Sequence, residues 1–321
     1  MPCPFHELCY GSCCSPHQTS VSERAAVGVG GEKMLLSIVP PGQDAVDKSV
    51  DSRAAAAYHL SAGGQRVRAR LALQAGLAAG LTESDAISIA SAVELLHNAS
   101  LVHDDIQDKD EFRRGQKAVW FVFGVNTAIC AGDLLLSAAY ATLCDVNKPH
   151  ALGPMLKLMH ERIALAVDGQ HGDLTAGLST LDNRLSVSAY QTIAMNKSGA
   201  LLSLPIELVL LASNKPQYLA NAWQAAGAFA IGYQIVDDLC DVDSDLCAGS
   251  HKSRNNIVSV FNGSSSLADA TVQAAQLGLK NIELSIALAQ DLPDGIGHLL
   301  AEQGYRLRTS LSATVNAGDH H

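Results

Sequence analysis

The amino-acid sequence predicts an all-α protein, a large single-domain helical bundle. Of its 321 residues, 48% are hydrophobic but only 5% are aromatic, and alanine and leucine dominate. Such small or unbranched side chains lose little rotamer freedom in a helix and therefore favour helices over sheets. From Ala54 onward the apolar residues recur at helical spacing, and no stretch of useful length alternates as a strand would.

The predicted helices account for most of the chain. Several exceed the average helix length of roughly 11–12 residues, as expected for a bundle that encloses a deep cavity. Thr82, followed three residues later by Asp85, begins one of them with a pair typical of a capping box. The helices are predicted at Asp51–Ser61, Arg66–Ala79, Thr82–Gln107, Asn126–Cys144, His150–Gly172, Ser186–Leu211, Tyr218–Leu239, Ser265–Ala289 and Gly295–Val315.

The beginning of the chain has a different character. Residues 1–45 contain scattered Pro, Gly and Ser and no sustained period, so we expect an irregular tail ahead of a helical domain at residues 46–321. This tail contains four of the eight cysteines, at Cys3, Cys9, Cys13 and Cys14. Their spacing fits no zinc-binding pattern, which favours a reduced tail over a metal site.

Charge and hydropathy argue against two kinds of partner. The formal net charge of −10 is unfavourable for binding nucleic acid, which demands a basic surface, and suits a protein that holds cations. The most apolar window, Gly199–Ser213, contains Pro205 and Glu207 and is shorter than the roughly 20 apolar residues of a membrane span. We interpret it as a buried core helix. No secretory signal is visible, so the predicted location is cytoplasmic.

Two segments of the chain run from an apolar helix directly into three aspartates. Aspartates four residues apart lie on one helix face, where like charges repel by roughly 0.2–0.5 kcal/mol per exposed pair. A magnesium ion would offset this repulsion, because it takes oxygen ligands and binds through one or two carboxylates plus substrate phosphates. The alternative is an acidic, solvated helix end, which two clusters of identical spacing make less plausible. The clusters are Asp104, Asp105 and Asp108, and Asp237, Asp238 and Asp241.

Arginines stand close to the first cluster in the sequence. Arg113 and Arg114 follow it in a loop-like stretch, where guanidinium groups could bind phosphate oxygens in a bidentate manner. Arg66 and Arg68 follow a flexible pair of glycines. Each arginine pair alone could be a surface charge, but together with the aspartates they indicate a diphosphate site.

These residues resemble the trans-isoprenyl diphosphate synthase (polyprenyl synthetase) family from roughly Ser61 to Ile257. The ordered set of motifs is more specific than any single member. After the first aspartate motif and Arg113-Arg114-Gly115 come Phe123-Gly124, Gly132-Asp133-Leu134-Leu135, Gly169-Gln170-x-x-Asp173-Leu174, Lys197-Ser198-Gly199 and the segment Gly232–Asp241 with the second aspartate motif.

The resemblance implies a helical bundle of the isoprenoid synthase type, with the aspartate motifs facing across a deep central cleft. It also implies a homodimer, two or three magnesium ions held by all six aspartates, and catalytic roles for Asp104, Asp105, Lys197 and Asp237. The implied binding residues are Arg113, Gln170, Lys197 and Gln234 for an allylic diphosphate, and Gln65, Arg66, Arg68, His97 and Arg114 for isopentenyl diphosphate.

The implied activity is a condensation of these two diphosphates into a longer trans-polyprenyl diphosphate. Product length in the family depends on the residues four and five positions before the first motif, which are Ser100 and Ala99. Both are small, so the resemblance predicts a product of C20 or longer. Two other functions remain open, namely a class I terpene cyclase and a degenerate, non-catalytic synthase subunit.

Three features depart from the family pattern. Gln65 stands where the family has lysine, and Trp120 stands where a smaller polar or imidazole side chain is usual. The Gly-Lys-x-Thr element after the second motif is replaced by the segment Ser250–Ile257. The lost cation at Gln65 predicts weaker binding of isopentenyl diphosphate than in typical members.

Overall fold

The computed structural model describes residues 51–176, 185–248, 255–262 and 266–318. The predicted irregular tail with its four cysteines lies outside these residues. Across the described ranges the protein is helical, and its only strands are two short ones that form a single hairpin. The prediction of an all-α protein is therefore confirmed.

The described residues divide into two compact units. The first contains residues 51–158 and 208–215, and the second contains residues 159–207 and 216–318. The elements of the first unit are α1 (Ser52–Ser61), α2 (Val67–Ala78), α3 (Glu83–Asp108), β1 (Phe112–Arg113), β2 (Gln116–Lys117), α4 (Val119–Phe123) and α5 (Val125–Leu143).

Helix α3 organises the first unit. It begins as predicted, because the Thr82 hydroxyl accepts a hydrogen bond from the Asp85 N–H at 3.1 Å. Its alanines, such as Ala90 and Ala92, are completely buried and allow neighbouring helices to approach closely. A Cβ on Gly132 of α5 would lie 2.2 Å from the His103 ring of α3, so a larger residue there would require the ring to move. The alanine-rich composition thus becomes a closely packed helical core.

The second unit contains the longest of the described helices, Leu219–Ala248. Its elements are α6 (Pro149–Ala176, from Met159 onward), α7 (Val187–Ala194), a π-helical turn (Met195–Gly199), α8 (Ala200–Ala212, up to Glu207), α9 (Leu219–Ala248), α10 (Ile257–Asn262), α11 (Leu267–Gln290) and α12 (His298–Gly318). The predicted boundaries differ most at α9, which continues to Ala248 instead of ending at Leu239. The hairpin, α4 and α10 were not predicted.

The predicted helix Ser186–Leu211 contains an interruption. The π-helical turn Met195–Gly199 separates α7 from α8. Together, Val187–Ala212 are long and apolar enough to cross a membrane, but 72% of the apolar window is buried within the protein. Glu207 is completely buried and accepts a hydrogen bond from Arg162 Nε at 2.8 Å. This pairing explains how an acidic residue fits in the predicted core helix.

Candidate functional site

The first aspartate motif lies at the end of α3. Asp104 and Asp108 are half-buried and one helical turn apart, so they lie on the same helix face. Asp105 is completely buried. The helix ends at Asp108, because Lys109 adopts the left-handed conformation with φ of 58°. The structure therefore places two of the three carboxylates where an incoming ligand could reach them.

Asp105 is paired with the arginine predicted to bind the allylic diphosphate. Arg113 Nε donates to Asp105 Oδ1 at 2.7 Å, and Arg113 Nη2 also contacts this oxygen. The other oxygen, Oδ2, is buried without a hydrogen-bond partner. Burial raises the pKa of Asp105, although Arg113 opposes the rise. A predicted metal ligand and a predicted phosphate ligand are thus in direct contact.

The β1–β2 hairpin presents Arg113 and Arg114 in different directions. Arg114 and Gly115 form its turn with positive φ angles of 54° and 79°. The Arg114 guanidinium donates to the Gly63 carbonyl and, at 3.2 Å, to Asn98 Oδ1. Gly63 and Gly64 have positive φ angles of 73° and 128°, which accounts for the glycine pair before α2. The two neighbouring arginines therefore bind different partners, Arg113 the first aspartate motif and Arg114 the groups of Gly63 and Asn98.

Two ring side chains anchor the hairpin. The Tyr58 hydroxyl of α1 donates to the Lys117 carbonyl at 2.9 Å, and Trp120 Nε1 donates to the Asp110 carbonyl at 2.8 Å. Trp120 is one of the departures from the family pattern. Its indole retains an N–H donor where an imidazole is usual, so the substitution preserves a hydrogen-bonding capacity.

The residues predicted to bind isopentenyl diphosphate are only partly brought together. Arg68 Nη1 lies 3.2 Å from His97 Nε2. Burial and the nearby Arg68 and Arg114 hold the pKa of His97 well below its usual value, so His97 is neutral. Arg66 is half-buried and has a left-handed φ of 50°. Gln65 is exposed in the loop before α2.

Three buried polar residues near Arg68 and Arg114 were not singled out in the sequence. Asn98 Nδ2 donates to the Glu94 carbonyl at 2.8 Å while its oxygen accepts from Arg114. His59 is 2% exposed, and burial followed by Arg114 and Arg113 lowers its pKa to about 4. Polar residues one turn apart on the apolar face of α3 could have revealed Glu94 and Asn98. Nothing in the sequence singled out His59.

The second aspartate motif lies within α9. Because this helix continues to Ala248, Asp237 and Asp241 are one turn apart on one face. Burial raises the pKa of Asp237 to about 8, and the nearby Asp238 and Asp241 add to the rise. Asp237 therefore holds its proton more tightly than an exposed aspartate does.

Asp238 has a different environment from the other two aspartates of its motif. Its Oδ2 accepts from the Tyr190 hydroxyl at 2.9 Å and from the Ile257 N–H at 2.8 Å. Its Oδ1 accepts from Gln234 Nε2 at 3.0 Å. Asp238 therefore joins α7, α9 and the start of α10, and the predicted site residue Gln234 contacts the motif directly.

Lys197 lies on the π-helical turn. Its ammonium group pairs with Asp173 Oδ2 of α6. A Cβ on Gly169 would lie 2.2 Å from the Lys197 backbone nitrogen, so glycine is required where α6 meets this turn. Gln170, the next residue, is 7% exposed. The structure thus brings the predicted residues Lys197 and Gln170 to the same part of the second unit.

The predicted chain-length residues lie one turn before the first motif. Ala99 is 2% exposed, and the Ser100 hydroxyl donates to the His97 carbonyl at 2.8 Å. The basic residues Lys252 and Arg254 of the segment that replaces Gly-Lys-x-Thr lie outside the described residues.

The aspartates suit a hard divalent cation by their chemistry. Among the described residues, no three His, Cys, Asp or Glu side chains are grouped closely enough to form a complete metal site. Magnesium rarely needs such a site, because it binds through one or two carboxylates and substrate phosphates. The unpartnered Oδ2 of Asp105 and the raised pKa of Asp237 both indicate carboxylates that a cation would stabilise.

Comparison with known proteins identifies the family. The polyprenyl synthetase profile matches residues 51–253. A (2E,6E)-farnesyl diphosphate synthase of Mycobacterium tuberculosis is 35% identical over 182 residues, which are 56% of this chain and 49% of the relative. A geranylgeranyl pyrophosphate synthase of Geoglobus acetivorans is 35% identical over 193 residues, 59% of each chain. The matches thus span about half to three fifths of these relatives.

Solved structures extend the similarity to the fold. The geranylgeranyl pyrophosphate synthetase structure from Geoglobus acetivorans has a TM-score of 0.75 at 24% identity and covers 89% of this chain and 98% of that one. The fold is therefore that of the isoprenoid synthases. Because the family profile matches more than half of the sequence, the chain belongs to the polyprenyl synthetase family, which confirms the resemblance seen in its motifs.

Proposed function

We propose that the protein is a magnesium-dependent prenyltransferase that condenses an allylic diphosphate with isopentenyl diphosphate to a longer trans-polyprenyl diphosphate. The proposal rests mainly on one observation: Arg113 and Arg114 are neighbours on one hairpin, but their side chains contact different partners. Arg113 pairs with Asp105 in the first motif, whereas Arg114 lies with Asn98 near the Arg68–His97 pair. Two adjacent anion-binding regions suit an enzyme with two diphosphate substrates. A terpene cyclase needs only one.

The six aspartates are the proposed magnesium ligands. Bound magnesium would neutralise negative charge on the departing diphosphate. In Asp105 and Asp238, the carboxylates already accept hydrogen bonds from side chains, so their main proposed role is to hold neighbouring groups in place.

The basic side chains account for the remaining steps. Arg113 and Lys197, with Gln170 and Gln234, would bind the allylic diphosphate and stabilise the charge that develops as its carbon–oxygen bond breaks. Isopentenyl diphosphate would lie against Arg68, Arg114 and His97, with Arg66 and Gln65 near its edge. Its double bond attacks the allylic carbocation, and the released diphosphate removes the proton.

Product length and assembly are also proposed. Ala99 is small and buried, and its side chain would obstruct a growing product less than an aromatic ring would, which supports a product of C20 or longer. A homodimer is supported by exposed apolar side chains on α4 and α5, which a partner subunit would cover. These residues are Phe121, Val122, Val125 and Ile129. The cytoplasmic location likewise remains a prediction.

The deciding experiment incubates the full chain with magnesium, isopentenyl diphosphate and C5, C10 or C15 allylic diphosphates. We expect chain extension to polyprenyl diphosphates, identified by mass after dephosphorylation. Release of a cyclised hydrocarbon without isopentenyl diphosphate would instead identify a terpene cyclase. Absence of turnover with every substrate pair, under conditions in which a polyprenyl synthetase control is active, would favour a non-catalytic subunit.

A further inference from the structure

The residues after the second aspartate motif connect it to α6. Asn256 is 3% exposed, and its Nδ2 donates to the Asp238 carbonyl at 2.8 Å. The side-chain oxygen of Asn256 accepts from the Val258 N–H at 2.9 Å. Together with the bond from the Ile257 N–H to Asp238, these contacts fix the start of α10 against α9.

Asn255 faces a different partner. Its Nδ2 lies 2.9 Å from the Asp173 backbone carbonyl and 3.0 Å from Asp173 Oδ1. The other carboxylate oxygen, Asp173 Oδ2, pairs with the Lys197 ammonium. One carboxylate is thus held on one side by Asn255 and binds Lys197 on the other.

We propose that Asn255 is a positioning residue for Lys197, acting through Asp173 and anchored to the second aspartate motif by Asn256. The inference rests on the proposed function, in which Lys197 binds the allylic diphosphate. Asn255 and Asn256 belong to the segment that replaces the family's Gly-Lys-x-Thr element. This segment therefore supplies amide groups that orient a lysine located elsewhere in the second unit.

The chemistry of Asp173 explains why such a residue is needed. A lysine side chain has several rotatable bonds, so the direction of its ammonium group depends on a fixed acceptor. Without the two bonds from Asn255, the Asp173 carboxylate can rotate and present both oxygens to Lys197. The ammonium would then be drawn towards Asp173 and away from a diphosphate. The allylic substrate should be affected most, because Asn255 contacts Asp173, the partner of Lys197. Arg68 and Arg114 instead contact His97, Gly63 and Asn98.

Steady-state kinetics of Asn255→Ala and Asn255→Asp in the full chain test the inference. For Asn255→Ala we expect the KM for the allylic diphosphate to rise roughly tenfold, as for loss of a hydrogen bond to a charged group. The KM for isopentenyl diphosphate should change less than about twofold. Asn255→Asp should be the more damaging variant, because it preserves the shape of the side chain but places an acceptor and a negative charge against Asp173.

Asn281→Ala provides a matched control. Asn281 is 8% exposed and donates to the Leu277 carbonyl at 2.9 Å within its own helix α11. Its loss should lower the melting temperature without changing either KM. If Asn255→Ala raises both KM values equally, or neither, or behaves like Asn281→Ala, the positioning role is wrong.

A binding measurement separates this inference from the proposed function. Isothermal titration of the allylic diphosphate in the presence of magnesium requires no turnover. If the wild-type protein binds but does not extend the substrate, the proposed function fails, while a roughly tenfold weaker affinity of Asn255→Ala still supports the positioning role. Equal affinities of the two proteins would overturn it.

Discussion

Arg113 Nε lies 2.7 Å from Asp105 Oδ1, which joins the first strand of the hairpin to the end of α3. The Asp105 side chain is completely enclosed, whereas that of Arg113 is 22% exposed. The carboxylate therefore depends on this single arginine for its described hydrogen bonds. Loss of the guanidinium would leave a buried negative charge near the carboxylates of Asp108 and Asp110.

Arg113→Met should destabilise the protein by about 2–3 kcal/mol near pH 7.5, somewhat less than for a fully buried pair. Without Arg113, the pKa of Asp105 in the folded protein should rise further above its value in the unfolded chain. The unfolded chain would therefore release the Asp105 proton at a lower pH than the folded protein. The variant should consequently recover part of its stability at pH 5, where Asp105 can remain protonated. Urea unfolding at both pH values measures the difference.

A matched control for Arg113→Met exists on the same hairpin. Lys117 and Glu111 are 3.4 Å apart with side chains 37% and 53% exposed. Glu111→Gln should cost less than about 0.5 kcal/mol, as is usual for exposed pairs. Equal costs for the two variants, or a loss in Arg113→Met that does not change with pH, would contradict the proposed dependence of Asp105 on Arg113.

Gln65→Lys should strengthen the binding of isopentenyl diphosphate about tenfold. The new ammonium group would add a charge-assisted hydrogen bond to the diphosphate that Arg68 and Arg114 are proposed to bind. Isothermal titration of the substrate measures this gain. Leu77→Lys is a suitable control, since Leu77 is 51% exposed near the far end of α2 and its replacement adds the same charge. A similar gain in both variants would indicate a general charge effect, and no gain in Gln65→Lys would refute the prediction.

Ala99→Tyr should shorten the product, because an aromatic ring one turn before the first motif would obstruct the growing chain. The position is 2% exposed, so the larger side chain can also cost about 1–3 kcal/mol through overpacking. Product length is measured by chromatography of the dephosphorylated polyprenols, and thermal unfolding checks that the variant is folded. An unchanged product distribution from a folded variant would rule out Ala99 as a determinant of length.

The sequence predicted those parts of the fold and site that depend on local pattern. Helical spacing and the Thr82 cap placed α3, and with it Asp104 and Asp108 on one face. The second motif was also recognised, although its helix was predicted to end at Leu239. Three acidic residues weaken the apolar pattern there, and the extension to Ala248 has no strong sequence signal.

The hydrogen bonds between distant segments could not be predicted. Tyr190 reaches Asp238, and Asn255 reaches Asp173, across 48 and 82 positions of the sequence. Such pairs produce no periodic pattern, and each residue alone is an ordinary polar side chain. They become visible only when packing brings their helices together, which is why the supporting residues of the site were missed while its aspartates were found.

The raised pKa of Asp237 predicts that the stability of the protein depends on pH and on magnesium. Its folded-state value is about 8, against 3.8 for the unperturbed group, because of burial and the nearby Asp238 and Asp241. Between these values the folded state binds more protons than the unfolded state, so stability should fall as pH rises towards 8. The melting temperature of the protein in EDTA should therefore decrease from pH 6.5 to pH 8.5.

Asp237→Asn should remove this pH dependence, because the amide does not ionise, whereas Asp291→Asn at the exposed end of α11 should retain it. Magnesium should raise the wild-type melting temperature more at pH 8.5 than at pH 6.5, since a deprotonated carboxylate is the better ligand. Differential scanning calorimetry with EDTA or magnesium measures both effects. A pH dependence that persists in Asp237→Asn would show that another group is responsible, and equal stabilisation by magnesium in that variant would exclude Asp237 as a ligand.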